Sequence, residues 1–261
     1  MRHVLVTGGG SGIGAAVVRS CVASGARVSV FDREGADGDG SWAAVPAAQR
    51  GRWLSGDVRE AVVLDRVAAE LADDLDALVT CAGVSIKSPF LEATEQDWRT
   101  TLDVNVLGTA QAVRAVARML VQQDRPGAVV TVSSTAGFGH VAGLGVHYHA
   151  SKGAIVAMTR ALAGELAVHR IRVNAVAPGL VRTPMTVAER ERLGERALAA
   201  RTPQARVLEP EHVASAVAFL LSPAAAAITG HVLPVDAGQL AVAGAPVDGY
   251  PPPSGSLPGD R

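Results

Sequence analysis

Aromatic side chains are scarce in this chain of 261 residues: three Trp, two Tyr and four Phe amount to 3% of it. A core built on stacked rings is excluded, so Val, Ala and Leu must carry most of the 48% hydrophobic share. Cysteine is rarer still. Cys21 and Cys81 are too few for a disulfide framework and lack the paired spacing of a zinc site, so both read as reduced, buried thiols and no metal is expected. Charge of one sign is missing as well: 24 Lys and Arg against 25 Asp and Glu leave a formal net charge of −1. Without a positive field the chain has no means of gathering nucleic acid or an anionic membrane surface. No run approaches the roughly 20 apolar residues of a membrane span, and the apolar stretch in MRHVLVTGG is too short for a signal peptide. The expectation is a cytoplasmic protein with no nucleic-acid and no membrane partner. Internal repeats and linkers are absent too, which predicts one domain over residues 1–240. Residues 241–261, rich in Pro and Gly and including Pro251-Pro252-Pro253, form a tail unable to supply regular strand or helix.

What is present is 28 Gly and a rhythm of short β-branched runs alternating with longer helical patterns. The runs are VLV at Val4, VSVF at Val28, LVT at Leu78, VVTVS at Val129, IRVNAV at Ile171 and HVLPV at His231, with a further strand over residues 53–57. Short strands that are apolar on both sides are covered by helices on both faces. This predicts a single-domain α/β fold of the Rossmann type, a doubly wound parallel sheet of about seven strands. Ile155, Met158, Leu162 and Leu166 recur at helical intervals, as do Val106, Ala110, Val113, Ala117 and Leu120. On the first of these helices Gly153, Ala157 and Ala161 make a second stripe of small residues, a surface on which another copy's helix can lie closely. Thr94 with Asp97 three residues later reads as a helix N-cap, and Glu209-Pro210-Glu211 places Pro in the first turn of another helix.

Directly after the first strand come Thr7-Gly8-Gly9-Gly10-Ser11-Gly12-Ile13-Gly14 and then the helical AAVVRSCVASG. A tight turn without side chains lets backbone N–H groups and the positive end of the following helix reach a pyrophosphate. Asp32 closes the second strand, where its carboxylate can accept from the hydroxyls of an adenosine ribose and repels a 2′-phosphate, so NAD is favoured over NADP. Arg33 argues the other way, since it can swing onto a 2′-phosphate, but Ser11 adds no second cation from the glycine loop.

The glycine spacing differs from the usual dinucleotide fingerprint. With it stand, in order, Asp57-Val58, Cys81-Ala82-Gly83, Asn105-Val106-Leu107-Gly108, Ser133-Ser134, Tyr148-His149-Ala150-Ser151-Lys152, Pro178-Gly179 and Thr183. The set resembles the short-chain dehydrogenase/reductase family over nearly everything except the tail. The resemblance implies that Gly8, Gly10, Ser11, Gly12, Ile13 and Gly14, with Asp32 and Arg33, border the cofactor. It places Asp57 and Val58 near the adenine, Cys81, Ala82 and Gly83 beside the cofactor, Tyr148 and Lys152 at the nicotinamide ribose, and Pro178, Gly179, Val181 and Thr183 toward the carboxamide. A homo-oligomer, tetramer or dimer, is implied as well. Two positions depart from the family pattern: Cys81 replaces an asparagine, and Ala237 interrupts an Asp-Gly-Gly. Ser133 and Ser134 are both candidates for the active hydroxyl, and Ser134 fits the following Thr-Ala-Gly better.

These residue types suit hydride transfer to or from an alcohol or ketone. Tyr148 would be the acid or base; a free tyrosine titrates near ~10, and bringing it to about 7 takes roughly 4 kcal/mol. Lys152, four residues along a helix, lies on the same face, and a unit charge at ~4 Å in an effective dielectric of ~20 supplies about that much. Ser134, at the end of the fifth strand, would hydrogen-bond the substrate oxygen, and Asn105 matches the family position that holds a relay water. His140, His147 and His149 lie near Tyr148 but have no spaced carboxylate or cysteine partner for a metal; His149 should point away from Tyr148, and His140 or His147 is a loop residue or a pocket lining. Residues 181–206, with Met185, Leu193 and Leu198, are implied as a helical lid. The expected substrate is a small or mid-sized secondary alcohol. Two rivals are a dinucleotide-sensing regulator without turnover, opposed by the intact Ser134, Tyr148 and Lys152, and a nucleotide-sugar epimerase, opposed by the glycine spacing.

Overall fold

In the first strand, β1 (His3–Thr7), all five residues are buried, and alternate side chains feed two different cores: Val4 and Val6 one, Leu5 the other. That is the signature of a central strand covered on both faces. The computed structural model describes residues 3–33, 40 and 42–242. Within them β1 is followed by α1 (Gly12–Ala23), β2 (Arg27–Asp32), β3 (Arg50–Ser55), α2 (Ala61–Glu70) and β4 (Leu75–Thr80). The second half runs α3 (Glu95–Leu102), α4 (Thr109–Gln122), β5 (Gly127–Val132), α5 (Val146–Leu166), β6 (Ile171–Pro178), α6 (Val187–Leu193), α7 (Glu195–Ala199), α8 (Pro210–Leu221) and β7 (Val232–Val235). All seven strands are parallel, in the order β3-β2-β1-β4-β5-β6-β7. The fold is the doubly wound Rossmann type, a single domain. Helices α1 and α8 pack on one face, and α2, α4 and α5 supply the other. Strand order reverses between β1 and β4, and at such a switch point the crevice beyond the strands' carboxyl ends is where ligands lie.

Three local features differ from the sequence expectations. The third strand spans Arg50–Ser55 rather than 53–57, because β2 fixes its register from Val28 opposite Arg50 to Asp32 opposite Ser55. As an edge strand it is only half-buried, so its first three residues, Arg50, Gly51 and Arg52, carry no apolar signal. The helical repeat that begins at Val106 is not one continuous helix: Asp103–Gly108 is a π-helical turn, and α4 begins at Thr109. His147 is no loop residue either. It sits in the first turn of α5 with its ring fully buried.

Other local signals lie where the sequence puts them. Thr94 and Asp97 form a reciprocal capping box at 3.1 and 2.9 Å, and Pro210 opens α8. The 181–206 stretch folds into the short helices α6 and α7, joined at Gly194, whose positive φ of 75° suits glycine. On α5 Ala157 and Ala161 are exposed and Gly153 is half-buried. Among the described residues no helix is long and apolar enough to cross a membrane. Nearly all of the expected 241–261 tail lies outside the described residues; Ala241 and Val242 close a short turn.

Candidate active site

The crevice at the switch point is built from backbone packed too closely for side chains. A Cβ on Gly8, whose φ is +69°, would stand 2.5 Å from the nitrogen of Ala82, and a Cβ on Gly14 would stand 1.9 Å from the carbonyl oxygen of Gly8. The loop is stitched to the end of β4 by the Cys81 N–H donating to Thr7 O at 2.9 Å, so Gly8, Cys81 and Ala82 share one wall. Gly12, at φ +52°, faces Thr183: its Cβ would lie 3.2 Å from the threonine side chain. Helix α1 starts here with Ser11 as its N-cap, but the serine makes no capping hydrogen bond and the first turn carries no acid. Its leading N–H groups therefore present positive charge to the crevice. Asp32 is fixed beside them, accepting from Gly10 N–H at 2.9 Å and Arg33 N–H at 2.8 Å. A glycine-walled cleft, an open helix N-terminus and an oriented carboxylate fit the pyrophosphate and ribose of a dinucleotide.

Other expected cofactor residues line up less uniformly. Asp57 is folded onto Arg59 at 2.6 Å, which holds its carboxyl below the usual carboxylate range. Val58 is buried and packs against Gly108. Gly83 lies between two other site residues, its Cβ position 3.3 Å from Asn105 Oδ1 and 3.9 Å from Lys152 Nζ. At the end of β6, Gly179 N–H donates to Val235 O, and Val181 is buried in a bridge to Leu208. Ile13 packs partly buried against the core.

Tyr148 and Lys152 project from the same face of α5, with the ammonium 5.6 Å from the centre of the phenol ring. Lys152 Nζ donates to Val132 O at 2.9 Å, and burial pulls its pKa down to about 8. Burial also pushes the Tyr148 phenol up to about 12, against the opposing pull of a hydrogen bond from Ser134. This corrects the sequence expectation of a phenol acidified by lysine. In the chain alone, desolvation outweighs any help from Lys152, which spends a hydrogen bond on the backbone. The two serines separate cleanly. Ser133 is buried and donates to Lys152 O at 2.8 Å, fastening β5 to α5, whereas Ser134 caps a short turn and reaches Tyr148. Cys81 is raised to about 12, so its thiol is unreactive.

Asn105 is buried inside the π-helical turn. Its side chain accepts from Val84 N–H at 2.8 Å and donates to Val84 O and to Ser151 Oγ, both at 3.0 Å. Both side-chain donors are thereby used, while Oδ1 keeps a second lone pair. The backbone carbonyl accepts from the Thr109 hydroxyl at 2.8 Å. The turn thus ties the loop after β4 to the helix that carries Tyr148 and Lys152.

A cavity of 130 Å³ opens beside Tyr148 and Ser134, bounded by Ser85 and Lys87 from the loop after β4 and by Met185 and Glu189 from the 181–206 segment. A hollow of this size admits a small organic molecule rather than a lone water. A larger hollow of 590 Å³ sits against Asp76, Gly127 and Arg172, at the amino ends of the strands and away from all of these groups.

A family profile described as enoyl-(acyl carrier protein) reductase matches residues 8–239. Galactitol 2-dehydrogenase (L-tagatose-forming) of Cereibacter sphaeroides is 42% identical, over 89% of this chain and 92% of its own. Among solved structures, an oxidoreductase of the short-chain dehydrogenase/reductase family from Burkholderia thailandensis superposes with a TM-score of 0.84 at 33% identity, over 92% of this chain and 93% of its own. ElxO with NADP bound gives 0.84 at 26% identity, over 92% and 99%. The chain belongs to the short-chain dehydrogenase/reductase family. It is an oxidoreductase by that membership, of the kind that acts on CH–OH groups.

In this short-chain dehydrogenase/reductase the histidines near Tyr148 are structural. His147 bridges Thr101 Oγ1 at 3.0 Å and Ser88 Oγ at 3.1 Å, with the edge of Trp98 against its ring. His149 accepts from Val141 N–H at 2.9 Å, contacts Gly145 O at 2.8 Å and stacks on His140, away from the phenol. None of the three lines the cavity beside Tyr148. The residues that sequence reasoning missed are Ser85, Lys87 and Glu189. Lys87 and Glu189 meet at 3.2 Å across 102 positions, and nothing in their spacing announces it.

Proposed function

We propose that this short-chain dehydrogenase/reductase transfers a hydride between NAD(H) and a small secondary alcohol or ketone, with Tyr148 as general acid and base. The observation that carries the reading is the position of Tyr148, which borders the cavity together with Ser134 and lies under the Lys152 ammonium, itself next to Gly83 of the glycine cleft. A bound nicotinamide supplies the hydride and, when oxidised, a positive ring charge; Gly8, Gly12, Gly14, Asp32, Gly83, Lys152 and Thr183 would hold the dinucleotide. In reduction, the phenol, protonated throughout the neutral range, gives its proton to the emerging alkoxide while Ser134 donates to the same oxygen. In oxidation Tyr148 must first lose that proton. Lys152 is charged below about pH 8 and favours the phenolate; it opposes the desolvation that raises the phenol. Asn105 and Ser133 are positioning residues that fix the loop after β4 and the strand β5 against α5.

Asp32 supports NAD: its oxygens are oriented by two backbone N–H groups, and its charge opposes a 2′-phosphate. The reading includes a cytoplasmic enzyme that assembles with copies of itself, supported by the exposed Ala157 and Ala161. The test is nicotinamide absorbance over a panel of alcohols and ketones with both cofactors. Turnover is expected with a higher kcat/KM for NAD(H). A clear NADP(H) preference overturns the cofactor assignment, and silence across the panel overturns the enzymatic one.

A further inference from the structure

The cavity beside Tyr148 is apolar along Val141, Leu144 and Leu180 but polar along the side formed by Ser85, Lys87 and Glu189. Ser85 Oγ is buried and has no hydrogen-bond partner among the described residues. An unpaired buried hydroxyl is destabilising, and a ligand hydroxyl on that wall would relieve it. Glu189 is the least exposed of the ion-paired side chains in the 181–206 segment, with only 12% of it exposed. Its Oε2 lies 3.2 Å from Lys87 Nζ and its Oε1 3.2 Å from Arg192, so each oxygen faces one cation and keeps acceptor capacity for another donor. On one side the Gly143 backbone runs close to the carboxylate, its Cβ position 3.4 Å from both oxygens, and with no side chain there Glu189 is not covered further. The two acceptor oxygens of one carboxylate can take two neighbouring hydroxyl donors side by side.

We propose that Glu189, braced by Lys87 and Arg192, and Ser85 form a wall that recognises the non-reacting hydroxyls of a neutral, polyhydroxylated alcohol or its ketone. This rests on the reading of Tyr148 as the group at the reacting oxygen. Lys87 and Arg192 offset the charge of Glu189, so the wall offers acceptor oxygens without a net negative charge, and a substrate carboxylate set against those oxygens would meet acceptors where it needs donors. Arg201, the other cation at the cavity, is exposed and too solvated to reverse that preference. A monohydric alcohol leaves Ser85 unpaired, so a site of this kind discriminates against it.

The experiment compares kcat/KM of the full chain for straight-chain four- to six-carbon polyols, cyclohexanol and a small hydroxycarboxylate, with calorimetric titration of the same polyols into cofactor-loaded protein. Polyols are expected to lead both rivals by at least about 10-fold. Glu189→Leu should lower the polyol-to-cyclohexanol ratio by about 10–100-fold, and Ser85→Ala by about 5–10-fold. Cyclohexanol or the hydroxycarboxylate turned over as well as the polyols, or a ratio that neither variant changes, overturns the wall. If no substrate turns over but polyols bind in a manner sensitive to Glu189, the wall stands and the catalytic reading falls. With neither turnover nor binding, both fall.

Discussion

The two edges of the active-site crevice are made of different materials. On the cofactor edge the contacts are backbone to backbone, with Gly14 and Gly8 packed so closely that no side chain fits between them. On the lid edge the contacts are ion pairs between long side chains, Lys87 with Glu189 and Arg182 with Glu195, carried by loops and by helices of seven and five residues. Close-packed backbone tolerates no adjustment, whereas ion pairs with at least one partner open to solvent are partly screened and individually worth little. A dinucleotide is a constant demand on such a fold and a substrate is a variable one. Rigid backbone meets the first, and exchangeable side chains meet the second.

Gly14→Ala should break the rigid edge most severely. Its Cβ meets a backbone oxygen, not the end of a mobile side chain, so a stability loss of at least ~3 kcal/mol in denaturant titration is expected, together with loss of dinucleotide affinity. A loss below ~1 kcal/mol would show that this edge is softer than its geometry.

Lys152 gives the next effect, of comparable size but conditional on pH. Its folded pKa of about 8 lies below the ordinary lysine value of about 10.5, so between those values the unfolded chain binds the proton more readily than the folded one. Stability from this group therefore rises as pH climbs through about 8 to 10.5, by about 3 kcal/mol in total. Tyr148 acts with the opposite sign at higher pH, because its folded pKa of about 12 is raised above 10. Measured as a difference between wild type and Lys152→Met, the alkaline gain should appear in the wild type alone; parallel pH profiles would refute the burial of the ammonium.

On the lid edge Arg192→Ala removes one exposed arm of the Glu189 pair, and a change under ~1 kcal/mol is expected by the same denaturant titration. A loss approaching that of Gly14→Ala would erase the contrast between the edges.

The same contrast explains what could be read in the sequence. Strands β1, β2, β4, β5 and β6 are legible because burial on both faces leaves unbroken apolar runs, while the half-buried edge strand β3 is displaced by three residues at its start. Glycine spacing and the four-residue separation of Tyr148 and Lys152 are local, and they mark the rigid edge. The π-helical turn at Asp103–Gly108 is hidden because the apolar repeat continues through it. The sign of the Tyr148 shift is hidden too: spacing reveals a neighbouring charge but not how deeply the phenol is desolvated. Ser85, Lys87 and Glu189 come together only through tertiary folding, so no local pattern could name them.

Tyr148→Phe tests the proton-transfer assignment most directly, with kcat measured beside dinucleotide affinity. The variant should bind NADH within about twofold of the wild type while kcat falls by about 10²–10⁴-fold. A variant that binds the cofactor and retains kcat within a few-fold of wild type would contradict Tyr148 as the proton donor.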